Sequence, residues 1–307
     1  SKPGQPGFGT DRITAVAFNP DGDLFVTGEA YVEGSVNYLY AATLKAPFNQ
    51  LTAEFVLNQP RSTAGAPRAM VIVGRSAVIA GAFSGTGNER MDLGTIDYPR
   101  GPGPIVRNMV PGVPNSDEDA RGVTSDRYQN TYAVASSVVS GSPATFLIAR
   151  FNGDRTMAWS HREPGLTAGF FTPTGVAVDS FTGNVYVVGS PNGGRDSRYM
   201  LYCFFQAPTS TTDSYRTTKN ERLTVSVAQG VMANDQFAPR GTVSLLQGPE
   251  KGQVELASDG SFVFTPAADF VGTATFRYRL TRPDLSVSEA AVRINVVEPD
   301  KNEFSVN

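Results

Sequence analysis

Gly175-Val176-Ala177-Val178-Asp179, followed by Gly183-Asn184-Val185-Tyr186-Val187-Val188-Gly189, reads as a strand, a tight turn and a second strand. The same pattern starts three more times. Ala15-Val16-Ala17-Phe18 leads to Asp23–Gly28, Met70-Val71-Ile72-Val73 to Ala77–Gly81, and Gly122-Val123-Thr124-Ser125 to Thr131–Ala135. The valines Val16, Val71, Val123 and Val176 are 55, 52 and 53 residues apart. A period of that size is the mark of a repeat architecture.

Working outward, each repeat adds further runs. The first continues through Val36–Ala46 and Thr52–Asn58. Third runs recur at Asn88–Tyr98, Ala144–Asn152 and Arg198–Ala207, and fourth runs at Ile105–Val110 and Arg155–His161. No stretch has helical periodicity. Four strands in a repeat of about 50 residues make a β-propeller blade. The expectation is an all-β chain, with a four-repeat propeller-like domain over residues 10–208 after an N-terminal arm, 1–9. The fourth repeat lacks a fourth run, because Pro208–Asp213 reads as a linker, placed at 209–214. Either the four blades close into a compact ring or the propeller is incomplete, with an unpaired strand edge.

The repeat resembles the secreted bacterial propeller repeats called SBBP and, more loosely, NHL-type blades. Their core "V-A-V-D-x-x-G-N-V-Y-V-x-G" is matched by Gly175–Gly189, and less fully by Ala15–Gly28, where Phe18 and Asn19 stand for Val and Asp. That resemblance implies fold, not activity.

A second domain is expected at 215–298, ahead of a tail, 299–307. The likeness that identifies it covers about residues 213–298. Leu223–Val227 with Gly230–Asp235, Lys251–Leu256, Asp259–Pro266 and Phe270–Tyr278 resemble the bacterial cadherin-like (VCBS-type) Ig-like modules. The pairs Val254/Leu256, Phe262/Phe264 and Phe276/Tyr278, and the set Val292/Ile294/Val296, alternate in period two. Each strand thus offers one apolar face to a sandwich core. Gly260 and Gly272 fall where turns want positive φ.

The composition fits this picture. Charged residues make up 18% of the 307, Gly 31 and Pro 21 of them, and the net charge is −3. That balance makes no electrostatic case for nucleic acid, and no run reaches the length of a membrane span. One cysteine, Cys203, allows no intrachain disulfide. The chain starts at Ser1, which fits a mature secreted chain or a trimmed one.

Candidate chemistry is sparse. His161 is the lone histidine and has no partner in its sequence context; Cys203 sits in an apolar run. Zinc lacks ligands. Calcium has weak candidates in Asn19, Asp21 and Asp23, which also read as a hairpin turn; no other cofactor is expected. Asp117-Glu118-Asp119 reads as a solvated loop. Asn234-Asp235 is not followed by the acids that the cadherin-like family uses for calcium. The tail Asn302–Asn307 alternates polar and apolar residues. Phe304 and Val306 are therefore candidates for strand donation to an open sheet edge.

These readings point to an extracellular structural protein, not an enzyme: a self-associating subunit of a surface assembly or filament, or an adhesion module. The alternative is a carbohydrate- or ligand-binding propeller with its site at the central mouth or top loops.

Overall fold

The structure is a computed structural model. It describes residues 12–32, 36–45, 50–57, 66–84, 91–99, 106–111, 116–139, 144–163, 171–191, 198–238, 240–283 and 285–299. The chain forms two compact units, Ser1–Ser180 with Asn184–Phe204, and Phe181–Gly183 with Phe205–Asn307.

The first unit is four sheets laid down in chain order. They are β1 (Arg12–Phe18), β2 (Leu24–Val32), β3 (Val36–Lys45) and β4 (Gln50–Leu57); β5 (Ala66–Val73), β6 (Ser76–Ser84), β7 (Met91–Tyr98) and β8 (Val106–Met109); β9 (Ser116–Ser125), β10 (Thr131–Val139), β11 (Thr145–Phe151) and β12 (Met157–Arg162); and β13 (Phe171–Val178), β14 (Val185–Pro191) and β15 (Met200–Phe204). Each sheet is an antiparallel meander whose neighbours follow one another in sequence, and the fourth has three strands among the described residues. These are the blades that the alternation and turns predict.

Every blade carries the same irregularity. The first two strands slip register at Ile13/Ala15, Pro67/Ala69, Ala120/Gly122 and Pro173/Gly175. Aligned on this bulge, the residues facing Val26, Ile79, Ala133 and Val187 are Val16, Met70, Val123 and Val176. Their spacing is 54, 53 and 53 residues, more even than the valine spacing. The member of the second repeat is therefore Met70, not Val71. A slip of one residue moves a side chain to the other face of its sheet, so the correction decides which residues pack where.

Successive blades bury one face against the next. Phe25 and Ala41 of the first sheet pack with Ala77, Ile79, Met70 and Ile72 of the second. Ala80, Leu93 and Val110 on the second sheet's other face meet Ala133, Leu147 and Val123 of the third. Tyr132, Val134, Phe146 and Ile148 then meet Val185, Val187 and Val176 of the fourth. The leading strands are neighbours in order, β1 with β5, β5 with β9 and β9 with β13. Among the described residues no contact of that extent joins β13 to β1.

The second unit is a two-sheet sandwich. Its strands are β16 (Asp213–Thr218), β17 (Leu223–Val225), β18 (Thr242–Gln247), β19 (Gly252–Leu256), β20 (Phe262–Pro266), β21 (Gly272–Thr281) and β22 (Val287–Val297). One sheet runs β16-β22-β21-β18, with β16 parallel to β22, and the other runs β17-β20-β19. Phe262, Phe264, Phe276, Tyr278, Ile294 and Val296 fill the core. Gly260 and Gly272 have φ of 87° and 139°, the backbone region that side chains disfavour. Thr209, Ser210 and Thr211 also belong here. Thr209 exchanges backbone hydrogen bonds with Gln236, and the amides of Ser210 and Thr211 donate to Ser288 Oγ and Asp235 Oδ1.

Candidate functional site

Asn19, Asp21 and Asp23 lie in the β1–β2 turn. Asn19 Oδ1 accepts from the amides of Asp21 and Asp23 at 3.0 and 2.8 Å, and its Nδ2 donates to Asp23 Oδ2 at 3.1 Å. Asp21 pairs with Arg75 at 3.2 Å. The third blade repeats the device. Asp126 Oδ1 accepts from the amides of Tyr128 and Asn130, and Oδ2 from Asn130 Nδ2 and Tyr132 Oη. A side-chain oxygen at this position closes the turn by replacing a backbone acceptor. Among the described residues, no group of three or more His, Cys, Asp or Glu is placed to hold a metal ion. Phe304 and Val306 lie outside the described residues.

The run Asp117-Glu118-Asp119 is not a loop, and this expectation is corrected. It opens β9, where period-two alternation turns Ser116, Glu118 and Ala120 inward. The Glu118 side chain is fully buried. A buried carboxylate needs partners. Glu118 Oε1 has two, Arg162 Nη2 at 2.8 Å from β12 and Ser137 Oγ at 3.0 Å from β10. Asp92 of β7 completes the group. Burial, then the Glu118 charge and a hydrogen bond between the two carboxyls, raise the Asp92 carboxyl to about 6, against the pull of Arg162. Below that pH Asp92 is protonated and can donate to Glu118. The outward neighbour Asp119 accepts from Arg68 Nε at 2.9 Å and pairs with Arg121 at 3.0 Å, and Arg68 reaches Glu29 at 3.6 Å. Strands of the second and third blades thus meet in one polar group around Glu118, and a separate chain of ion pairs on the outward side of β9 reaches Glu29 of the first blade. The group around Glu118 gathers two carboxyls, a hydroxyl and a guanidinium, the parts from which acid–base chemistry or a polar ligand site is built.

His161 does have a partner. Its Nε2 lies 3.0 Å from Glu163 Oε2 on an exposed part of β12. The Trp159 ring stacks on Phe204 at 6.4 Å between centroids. Cys203 is half-buried and unpaired in any disulfide. Sequence reasoning missed Asp92, Ser137 and Arg162. The one signal available was the phase of β9, countable back from the small residues Ala120 and Gly122.

Residues 205–298 match the bacterial cadherin-like domain family. Comparison with curated proteins gave no sequence match. Solved structures similar to the chain include a thermostable family-43 glycoside hydrolase, at 12% identity and TM-score 0.38 over 65% of this chain and 72% of that one. A Penicillium chrysogenum alpha-L-arabinanase complexed with arabinobiose is 11% identical, with TM-score 0.43 over 95% and 88%. A third is the extracellular domain of a protein from B. thetaiotaomicron described as a one-component system, at 11% identity and TM-score 0.35; the chain covers 36% of it with 94% of its own length. At these identities the likeness is one of fold. The expectation that the chain is not an enzyme is nevertheless corrected: structures sharing its propeller-like fold include glycoside hydrolases, so that exclusion does not stand. Among the described residues, no helix is long and apolar enough to cross a membrane.

Proposed function

We propose that the chain is a structural or adhesive component of an extracellular surface assembly, the blades presenting binding faces and the sandwich serving as a spacer. The observation that carries this reading is the match of residues 205–298 to the bacterial cadherin-like domain, a module that points to adhesion outside the cell. The sandwich supports it physically. Its core is drawn from residues 215–296, so it can act as a self-contained unit in a longer array.

The test is surface accessibility in cells that make the protein. Mild trypsin treatment or a membrane-impermeant biotin reagent applied to intact cells should cleave or label the chain, or the chain should be recovered from the medium. Protein that becomes reactive only after lysis would sink the reading.

A further inference from the structure

The bulge that aligns the four blades also aligns their faces, and two of those faces present exposed apolar side chains where the others are covered. In the third blade Val134 pairs across the ladder with Ile148, and Phe146 lies two residues before it. All three are fully buried beneath the fourth blade. The matching residues of the fourth blade are Val188, its cross-strand partner Leu201, and Tyr199 two residues before. These are 38%, 65% and 80% exposed. The fourth blade therefore carries apolar side chains at the positions that cover the next blade, and among the described residues no next blade lies over them.

The first blade shows the converse. Met70 and Ile72, Val123, and Val176 with Val178 all pack against the blade before their own. Their counterpart on β1, Val16, is 59% exposed, and Ile13 on the same strand is exposed too. Scattered apolar residues on a surface need no explanation, but two patches at matching repeat positions do.

We propose that the outer face of the fourth blade receives the outer face of the first blade from a second copy of this chain. Each face is one half of a contact that the chain already makes three times within itself, and the two halves are opposite in kind. A second copy supplies the missing half with the side-chain chemistry that already works internally. The joint is front to back, hence heterologous, and repeats either into a closed ring or into an open filament. This names the partner within the assembly reading above and rests on its self-association, not on its location, so the surface-labelling result leaves it untouched.

Two substitutions at exposed positions, Val16→Glu and Leu201→Glu, place a charge in each face without touching a core. Light scattering after size exclusion on the full chain should show the parent associating as concentration rises. Each variant alone should run as a monomer. Mixed in equal amounts, they should form a complex of twice the monomer mass, because V16E keeps an intact fourth blade and L201E an intact first blade. A parent that stays monomeric up to its solubility limit would overturn the proposal and leave the faces to a different chain. Association that survives in either variant alone would overturn it in favour of a symmetric or unrelated contact. Mixed variants that stay monomeric would overturn the front-to-back joint.

Discussion

Asp213 opens β16 almost out of reach of solvent, with Asp235 close by. Burial, then the Asp235 charge, raise its carboxyl to about 7, while hydrogen bonds involving Asn234 and Tyr278 pull the other way. Asp235 is raised as well, chiefly by burial. A raised folded-state value means that the folded chain holds the proton more tightly than the unfolded chain. Stability gained from this is full below about pH 4 and is lost as the pH climbs through about 7. Asp213→Asn removes that titration. The variant should gain on the parent by on the order of 2 kcal/mol at pH 8 relative to pH 4. Urea unfolding followed by circular dichroism at the two pH values reads this; a pH dependence unchanged by the substitution would refute it. Residue chemistry of this kind was invisible in the sequence. Asp213 and Asp235 are 22 positions apart in linker-like and turn-like text, and only the fold makes them share a buried space. Glu118 repeats the lesson, since its partners Ser137 and Arg162 lie 19 and 44 residues away.

The repeated element is a hairpin whose first strand slips by one residue, and the slip sets a requirement on the facing strand. Gly28, Gly81 and Gly189 stand opposite the slip in three blades, and Ala135 in the third. A Cβ on Gly189 would fall 2.3 Å from the Thr172 carbonyl oxygen and 2.5 Å from Phe171 Cζ. Neither can withdraw freely, because Phe171 is buried in the core between the third and fourth blades. Gly189→Ala should therefore cost about 1–3 kcal/mol. Ala135→Gly, at the matching place with room for a methyl, should cost about 1 kcal/mol or less. Trp159 packs against that same core, so its fluorescence during denaturant unfolding reports both variants. Equal stability of Gly189→Ala and the parent would remove the steric account. The hairpins themselves were readable from alternation and turn residues, because those depend on neighbours along the chain. The phase of the second hairpin was not. Its turn is only Gly74-Arg75, so Val73 faces Ser76 directly, and aligning the valines by sequence slides the repeat one place from where the bulge puts it.

At the scale of the molecule, the physical question is where the sandwich begins as a folding unit. Its buried cluster runs from Val225 to Val296, with Tyr215 packed against it. That set is contiguous and large enough for a domain of about 90 residues to fold alone. The segment before it contributes hydrogen bonds instead of apolar area. Thr209 and Gln236 exchange two backbone bonds at 3.0 Å each, and the Ser210 and Thr211 amides each donate to a side chain at 2.8 Å. Asp213 and Ser214 then occupy the first two rungs of the parallel ladder with β22. A fragment of residues 205–299 should unfold in a single cooperative transition. A fragment starting at residue 215 discards these bonds and rungs. It also leaves Asp235 buried without the Thr211 amide. At about 1 kcal/mol for each bond lost, the shorter fragment should be less stable by at least ~3 kcal/mol. It should also show a smaller denaturant slope, since less of β16 remains to be exposed on unfolding. Equal midpoints for the two fragments would mean that residues 205–214 are tethered without contributing to the fold. The sandwich would then draw its stability from the core of residues 215–296 alone.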